Sequence, residues 1–206
     1  MREPTPEEIA LYDAVTRRVR PAVIDVFGPD STFATCKIAI DVLRHFGVDT
    51  VQPYPIVLAV FNKPFADEIR RGIHPTKVTR SDAPGGPWSV GLGTPVPGQP
   101  FIGHLVVGDP TTGFLADLAI DRVSRPERGL SLTPYWKILP DPAWFADPRA
   151  FRPVDLDGGA MLLLDRLNVR DPLAYQQSRN WHGEPAGDIR SATDLAIGHI
   201  ASDLSA

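Results

Sequence analysis

At 206 residues the chain is long enough for one sizeable hydrophobic core and short for two. Its 21 basic and 25 acidic side chains leave a net charge of −4, which offers no overall basic footprint for nucleic acid. A single cysteine excludes an intrachain disulfide and a thiolate zinc cage, and no apolar run reaches membrane-spanning length. The opening residues MREPTPEEIALYDAV are acidic and amphipathic where a secretory signal is basic and then apolar. A cytoplasmic location is therefore expected, with no membrane partner. TPEEIALYDAVTRRVRPAVIDVFG, residues 5–28, reads as an opening helix with Thr5 as N-cap and Pro6 at the first helical position. Ile9, Tyr12, Ala14, Val15 and Val19 form its packed face, and Pro21 is expected to break or kink it.

The next segment, DSTFATCKIAIDVLRHFGV over residues 30–48, repeats apolar residues at helical spacing through Cys36, Ala39, Ile40, Leu43 and Phe46 before a stop at Gly47. Asp30, Ser31, Thr32 and Thr35 all offer N-caps. A start between Thr32 and Thr35 puts Cys36 where the helix dipole and free N–H groups favour a thiolate; a cap at Asp30 puts it in the second turn, where that help has faded. The competing role for a lone cysteine is a small core hydrophobe. Residues 72–100 carry much of the proline and glycine with little periodicity. They are expected to form a loop, either a lid or rim over a substrate cleft or a surface excursion, with Trp88 available to line the cleft.

GHLVVGDPTTGFLADLAIDRVSRPE, residues 103–127, reads as a β-hairpin turning at Asp109–Gly113. A loop centred between Pro110 and Thr111 sets Leu115 opposite Val106, Ala119 opposite Ile102, and Asp117 opposite His104. Opposite side chains share a face with Cβ atoms roughly 5 Å apart, which suits a carboxylate fixing the tautomer of an imidazole. Asp109 and Asp121 are the fallback carboxylates if a bulge shifts the register. Such a pair serves either as a satisfied structural bridge or as base and orienter.

PVDLDGGAMLLLDRLNV, residues 153–169, gives a turn and then a strand or short helix, and Asp155 and Asp157 lack the spacing of a calcium loop. SATDLAIGHIASDLSA, from Ser191, is an amphipathic helix expected to dock on the core. His45 lies more than two turns beyond Cys36 on the same helix and cannot reach it. His74, His182 and His199 have no companions at metal-ligand spacing, and GGPWSVGLG lacks the strand and helix that a phosphate cradle needs. No metal and no cofactor is expected.

Cys36 on a helix, His104 on a strand and Asp117 on the next strand supply nucleophile, base and orienter in that order. With LRHFGVDTVQPYPIVLAV between them, this order resembles the transglutaminase-like branch of the papain-fold cysteine enzymes over roughly residues 30–123. It is also similar, more distantly, to arylamine N-acetyltransferases. Phe33-Ala34-Thr35 replaces the acetyltransferase lead-in, no tryptophan directly precedes Cys36 as in transglutaminases, and Gln52 follows the cysteine where papain's glutamine precedes it. The resemblance implies one α+β domain over residues 1–206, a Cys-bearing helix packed on an antiparallel sheet carrying His and Asp. It implies a cysteine-dependent acyl-transfer enzyme, foremost an amide hydrolase or peptidase acting on a peptide, protein or small amide through an acyl-enzyme. The oxyanion donors would be the Cys36 backbone N–H and the Trp88 indole. Two alternatives stand beside it: an acyl or amine transferase on the same triad, and a non-catalytic binding protein on the same scaffold.

Overall fold

The capping box at the start of the chain sets the first helix, α1 (Pro6–Phe27): Thr5 Oγ1 accepts from the Glu8 amide at 3.2 Å and the Glu8 carboxylate accepts from the Thr5 amide at 2.8 Å. The computed structural model describes residues 1–92, 104–139, 143–146, 152–166, 174–177 and 179–205. Of the expected break or kink at Pro21, the break does not occur: α1 continues through Pro21 to Phe27. Pro21 is exposed, and so is Arg17, whose carbonyl has lost its amide partner there, so that carbonyl is left on the solvent side. The second helix, α2 (Thr32–His45), buries Ile38, Ala39, Val42 and Leu43. After it come β1 (Gln52–Phe61), α3 (Lys63–Arg70), β2 (Ser89–Leu92), β3 (His104–Asp109) and β4 (Phe114–Asp117). β5 (Tyr135–Ile138), α4 (Ala143–Ala146), β6 (Arg152–Asp155), β7 (Met161–Arg166), α5 (Arg179–His182) and α6 (Ala186–Leu204) complete the described elements.

The strands form one antiparallel sheet in the order β5-β4-β3-β1-β7-β6, and the chain is α+β. β1 is central: along one edge its first half pairs with β3 and its second half with β2, while β7 lies on the other edge. Strand alternation then sorts the side chains into two layers. Leu105, Val107, Phe114 and Ala116 meet α1, α2 and α6 in a helix-side core that includes Cys36. Tyr54, Ile56, Val106, Leu115 and Leu162 face the other way, into a second core with Ile120, Leu130 and Trp144.

Two expected segments come out differently. The loop expected over residues 72–100 holds a strand, because Ser89–Leu92 pairs with β1. Asn62, which is fully buried, anchors the approach to β2: its side-chain nitrogen donates to the Gly86 and Arg128 carbonyls, and its side-chain oxygen accepts from the Trp88 and Phe65 amides. Residues 93–100 lie outside the described residues, so the lid expectation is unaddressed there. The last helix starts at Ala186, ahead of the expected Ser191, directly after Pro185 with Asp188 in its first turn. In residues 153–169 the strand alternative holds over Met161–Arg166, after a turn in which Gly158 and Gly159 adopt positive φ. No helix among the described residues is long and apolar enough to cross a membrane.

Candidate functional site

The hairpin turn is built around Asp109, a buried carboxylate that accepts from the Thr111 amide at 2.9 Å and from the hydroxyls of Thr50, Thr111 and Thr112 at 2.8 to 3.0 Å. Those bonds hold Pro110–Gly113 as the connection, and Gly113 supplies the positive φ of 81° that closes it. The register is therefore Asp109 opposite Phe114, Gly108 opposite Leu115 and Val107 opposite Ala116. This is two residues away from the expected pairing. A slip of one would have sent Asp117 to the other face; a slip of two preserves the face. Ile102 lies outside the described residues.

His104 and Asp117 thus meet on a diagonal instead of face to face. The His104 Nε2–H donates to Asp117 Oδ2 at 2.7 Å, and the Ala119 amide donates to Asp117 Oδ1 at 3.2 Å. His104 is 5 % exposed and Asp117 is 0 % exposed. Tyr135 stands directly opposite Asp117 on β5, so an imidazole, a carboxylate and a phenol cross β3, β4 and β5 in one polar row. The Tyr135 hydroxyl is buried without a hydrogen-bond partner, and burial, aided by the Asp117 charge, holds its pKa well above the ordinary tyrosine value. Nothing in the short run PYWKI marks this tyrosine in the sequence. The fallback carboxylates are engaged elsewhere: Asp109 in the turn, Asp121 with the buried Arg20 at 3.0 Å.

Cys36 takes its place from the start of α2. Ser31 occupies the N-cap position, but its hydroxyl donates to the Gly28 carbonyl at 2.6 Å and caps nothing. Helical geometry begins at Thr32, at the early limit of the expected start between Thr32 and Thr35, which makes Cys36 the fifth helical residue and places it just past the first turn. The Thr35 amide already donates to the Ser31 carbonyl at 3.0 Å, and the regular ladder commits the Cys36 amide to Thr32 in the same way, which removes it as an oxyanion donor. The side chain is 3 % exposed and its sulfur donates to the Val106 carbonyl at 4.0 Å. Burial raises its pKa far above that of a free thiol, and the nearby Asp117 charge raises it further.

These residues approach the sheet from two sides. His104 pairs with Ile56, and Ile56 belongs to the second core, whereas Leu105 and Val107 pack with Cys36 in the helix-side core. Alternation along β3 therefore directs the imidazole away from α2, with the strand between it and the thiol. Of the expected triad the structure joins His104 to Asp117 and leaves Cys36 bonded to Val106. Trp88 is also apart from the pair. Its neighbour Ser89 pairs with Phe61, five positions beyond Ile56 and about 17 Å along β1.

Elsewhere, His74 Nδ1 bonds to the Thr76 hydroxyl at 2.8 Å, and His45, His182 and His199 are exposed. Asp155 accepts from Arg70 at 2.6 Å. Among the described residues no three His, Cys, Asp or Glu side chains gather as metal ligands would. No family model, curated protein or solved structure matches the chain.

Proposed function

We propose that the chain works as a non-catalytic binding protein, in which Cys36 is a core side chain and the His104–Asp117 pair ties β3 to β4. What supports this reading is that thiol and imidazole lie on opposite faces of β3, with the sulfur buried and turned to the Val106 carbonyl. The charge that acts on the thiol is that of Asp117, which disfavours a thiolate, and Cys36 lies past the first turn of α2, where the helix terminus helps little.

A second reading is favoured by the 2.7 Å bond between His104 and Asp117, which is the base-and-orienter half of a triad. In it the protein is an amide hydrolase or peptidase, or an acyl transferase. The Cys36 thiolate adds to the substrate carbonyl, the C–N bond breaks as His104 protonates the departing amine, and water or a second amine releases the acyl group. This requires α2 to shift until the sulfur clears β3.

One measurement separates the two. Iodoacetamide labelling of the native protein at pH 6 is expected to be much slower than labelling of free cysteine, with the full rate returning in denaturant. Native labelling faster than free cysteine at that pH would reject the binding reading and favour the enzyme.

A further inference from the structure

Strand β5 bounds one side of the sheet, and among the described residues its one ladder is to β4. The Leu139 amide donates to the Gly113 carbonyl at 2.8 Å, which makes 113 with 139, 115 with 137 and 117 with 135 the hydrogen-bonded pairs of that ladder. The amides and carbonyls of Trp136 and Ile138 therefore point away from β4 to the open edge, where no described backbone group meets them. This edge lies in a groove of about 240 Å³ that follows residues 131–137, with Asp13 and Thr16 of α1 on the helix side and Leu156 and Asp157 on the side of the second core. At Thr133 and Pro134 it meets a hollow shaped by Pro21 and Ile24 of α1.

The charges along this edge are balanced. Asp13 accepts from the Trp136 indole at 2.8 Å, the buried Arg20 is held by Asp121, and Arg17 lies 3.5 Å from Asp203. That leaves Lys137 and Asp157, both exposed and, among the described residues, in no ion pair. Lys137 stands opposite Leu115 on the second-core face, the face from which Leu156 and Asp157 approach. We infer that β5 receives an extended peptide segment of another protein as an added antiparallel strand. Its carboxylate stands opposite Lys137, a cation two residues further on faces the side of Asp157, and an apolar side chain enters the hollow at Pro21 and Ile24. In that register both amides and both carbonyls of Trp136 and Ile138 find partners. A second copy of this chain fits the same register badly, because its own Lys137 would stand opposite Lys137, and like charges directly opposed are destabilising. A lysine on an edge strand guards against such self-pairing, and opposite a glutamate it becomes a contact. The inference rests on the binding reading, for which it names the partner class.

The test is fluorescence anisotropy of a synthetic peptide TVEVKVT, labelled at its amino end and amidated at the other, titrated with the full chain. Saturable binding is expected. Methylating the backbone nitrogens of the two valines that flank the glutamate removes the donors facing Trp136 and Ile138 and should weaken binding at least tenfold. TVKVKVT should bind the unaltered chain at least fivefold more weakly than TVEVKVT, and Lys137→Glu should reverse that preference. No saturable binding, equal binding of the methylated peptide, or a preference unmoved by Lys137→Glu would overturn the site; the first two need no variant. A dimer of the chain in sedimentation that the peptide dissociates would overturn it too, by giving the edge to a second copy. The outcome is separable from that of the thiol experiment. An inert Cys36 without peptide binding removes this partner and keeps the binding reading, whereas a reactive Cys36 with the peptide bound does the reverse.

Discussion

Asp117 has no exposed surface and accepts from both His104 and the Ala119 amide, so its removal leaves two donors stranded in a core. An unpaired buried polar group costs about 1–3 kcal/mol, whereas replacing both partners of a bond by apolar groups can be nearly neutral. Asp117→Ala is therefore expected to lower the free energy of unfolding in urea by about 2 kcal/mol. The double variant His104→Leu/Asp117→Leu should recover more than half of that loss. If the double variant is worse than the single, the pair is not a simple tie between strands. The identity of these two residues as partners was legible in the sequence because a hairpin signal and a polar residue on each arm suffice. The fate of Cys36 was not. Which face of α2 meets which face of the sheet depends on how α1 and α6 pack around it, and no spacing within residues 30–48 carries that information.

Among the elements, β2 is one the sequence hid. Its four residues Ser89–Leu92 include Gly91, and among the described residues its one ladder is to β1, so no local period announces it. The signal lay instead in Asn62, which closes β1, caps α3 and holds the Gly86, Trp88 and Arg128 backbone in place. Asn62→Ala strips four hydrogen bonds from buried and half-buried backbone groups and is expected to cost about 2–4 kcal/mol by denaturant unfolding. Deleting residues 81–98 should go further and abolish the cooperative transition, since it removes a strand where a dispensable loop was expected. A sharp transition in the deletion, with the Asn62→Ala loss below about 1 kcal/mol, would return the segment to the surface. The hairpin register shows the same limit: the turn formers were visible, but the two-residue shift follows from Asp109 gathering Thr50, a residue far back in the chain, into the turn. Pro21 misled for a related reason, since a proline's cost depends on whether the orphaned carbonyl reaches water.

For the whole molecule, the buried thiol and phenol make stability depend on alkaline pH. Cys36 and Tyr135 both keep their protons more tightly in the folded state than free side chains do, chiefly through burial. The unfolded chain sheds those protons near pH 8.5 and 10, roughly the ordinary values, so it binds fewer protons than the folded state above each. Stability is then complete below about pH 8.5 and declines above it in two stages. The urea midpoint should be flat between pH 7 and 8 and fall thereafter, and Cys36→Ala should erase the first stage while leaving the second. A midpoint that stays level to pH 10 contradicts the burial of Cys36, and one that does not fall further above pH 10 contradicts that of Tyr135.

The central place of β1 has a consequence for the order of events in folding. Its two long-range neighbours, β3 and β7, arrive late in the chain, and the helix layer is completed by Arg18 of α1 gripping Asp203 of α6 across 185 positions. Little of the sheet can be rewarded until large loops have closed, and topologies of this kind reach the native state in milliseconds to seconds, orders of magnitude behind helix formation. During that interval α1 and α2 can exist as nascent helices while β1, apolar on both faces, waits without partners. The exposed interval of β1 is the moment at which a crowded solution of this protein is most prone to pair the wrong chains.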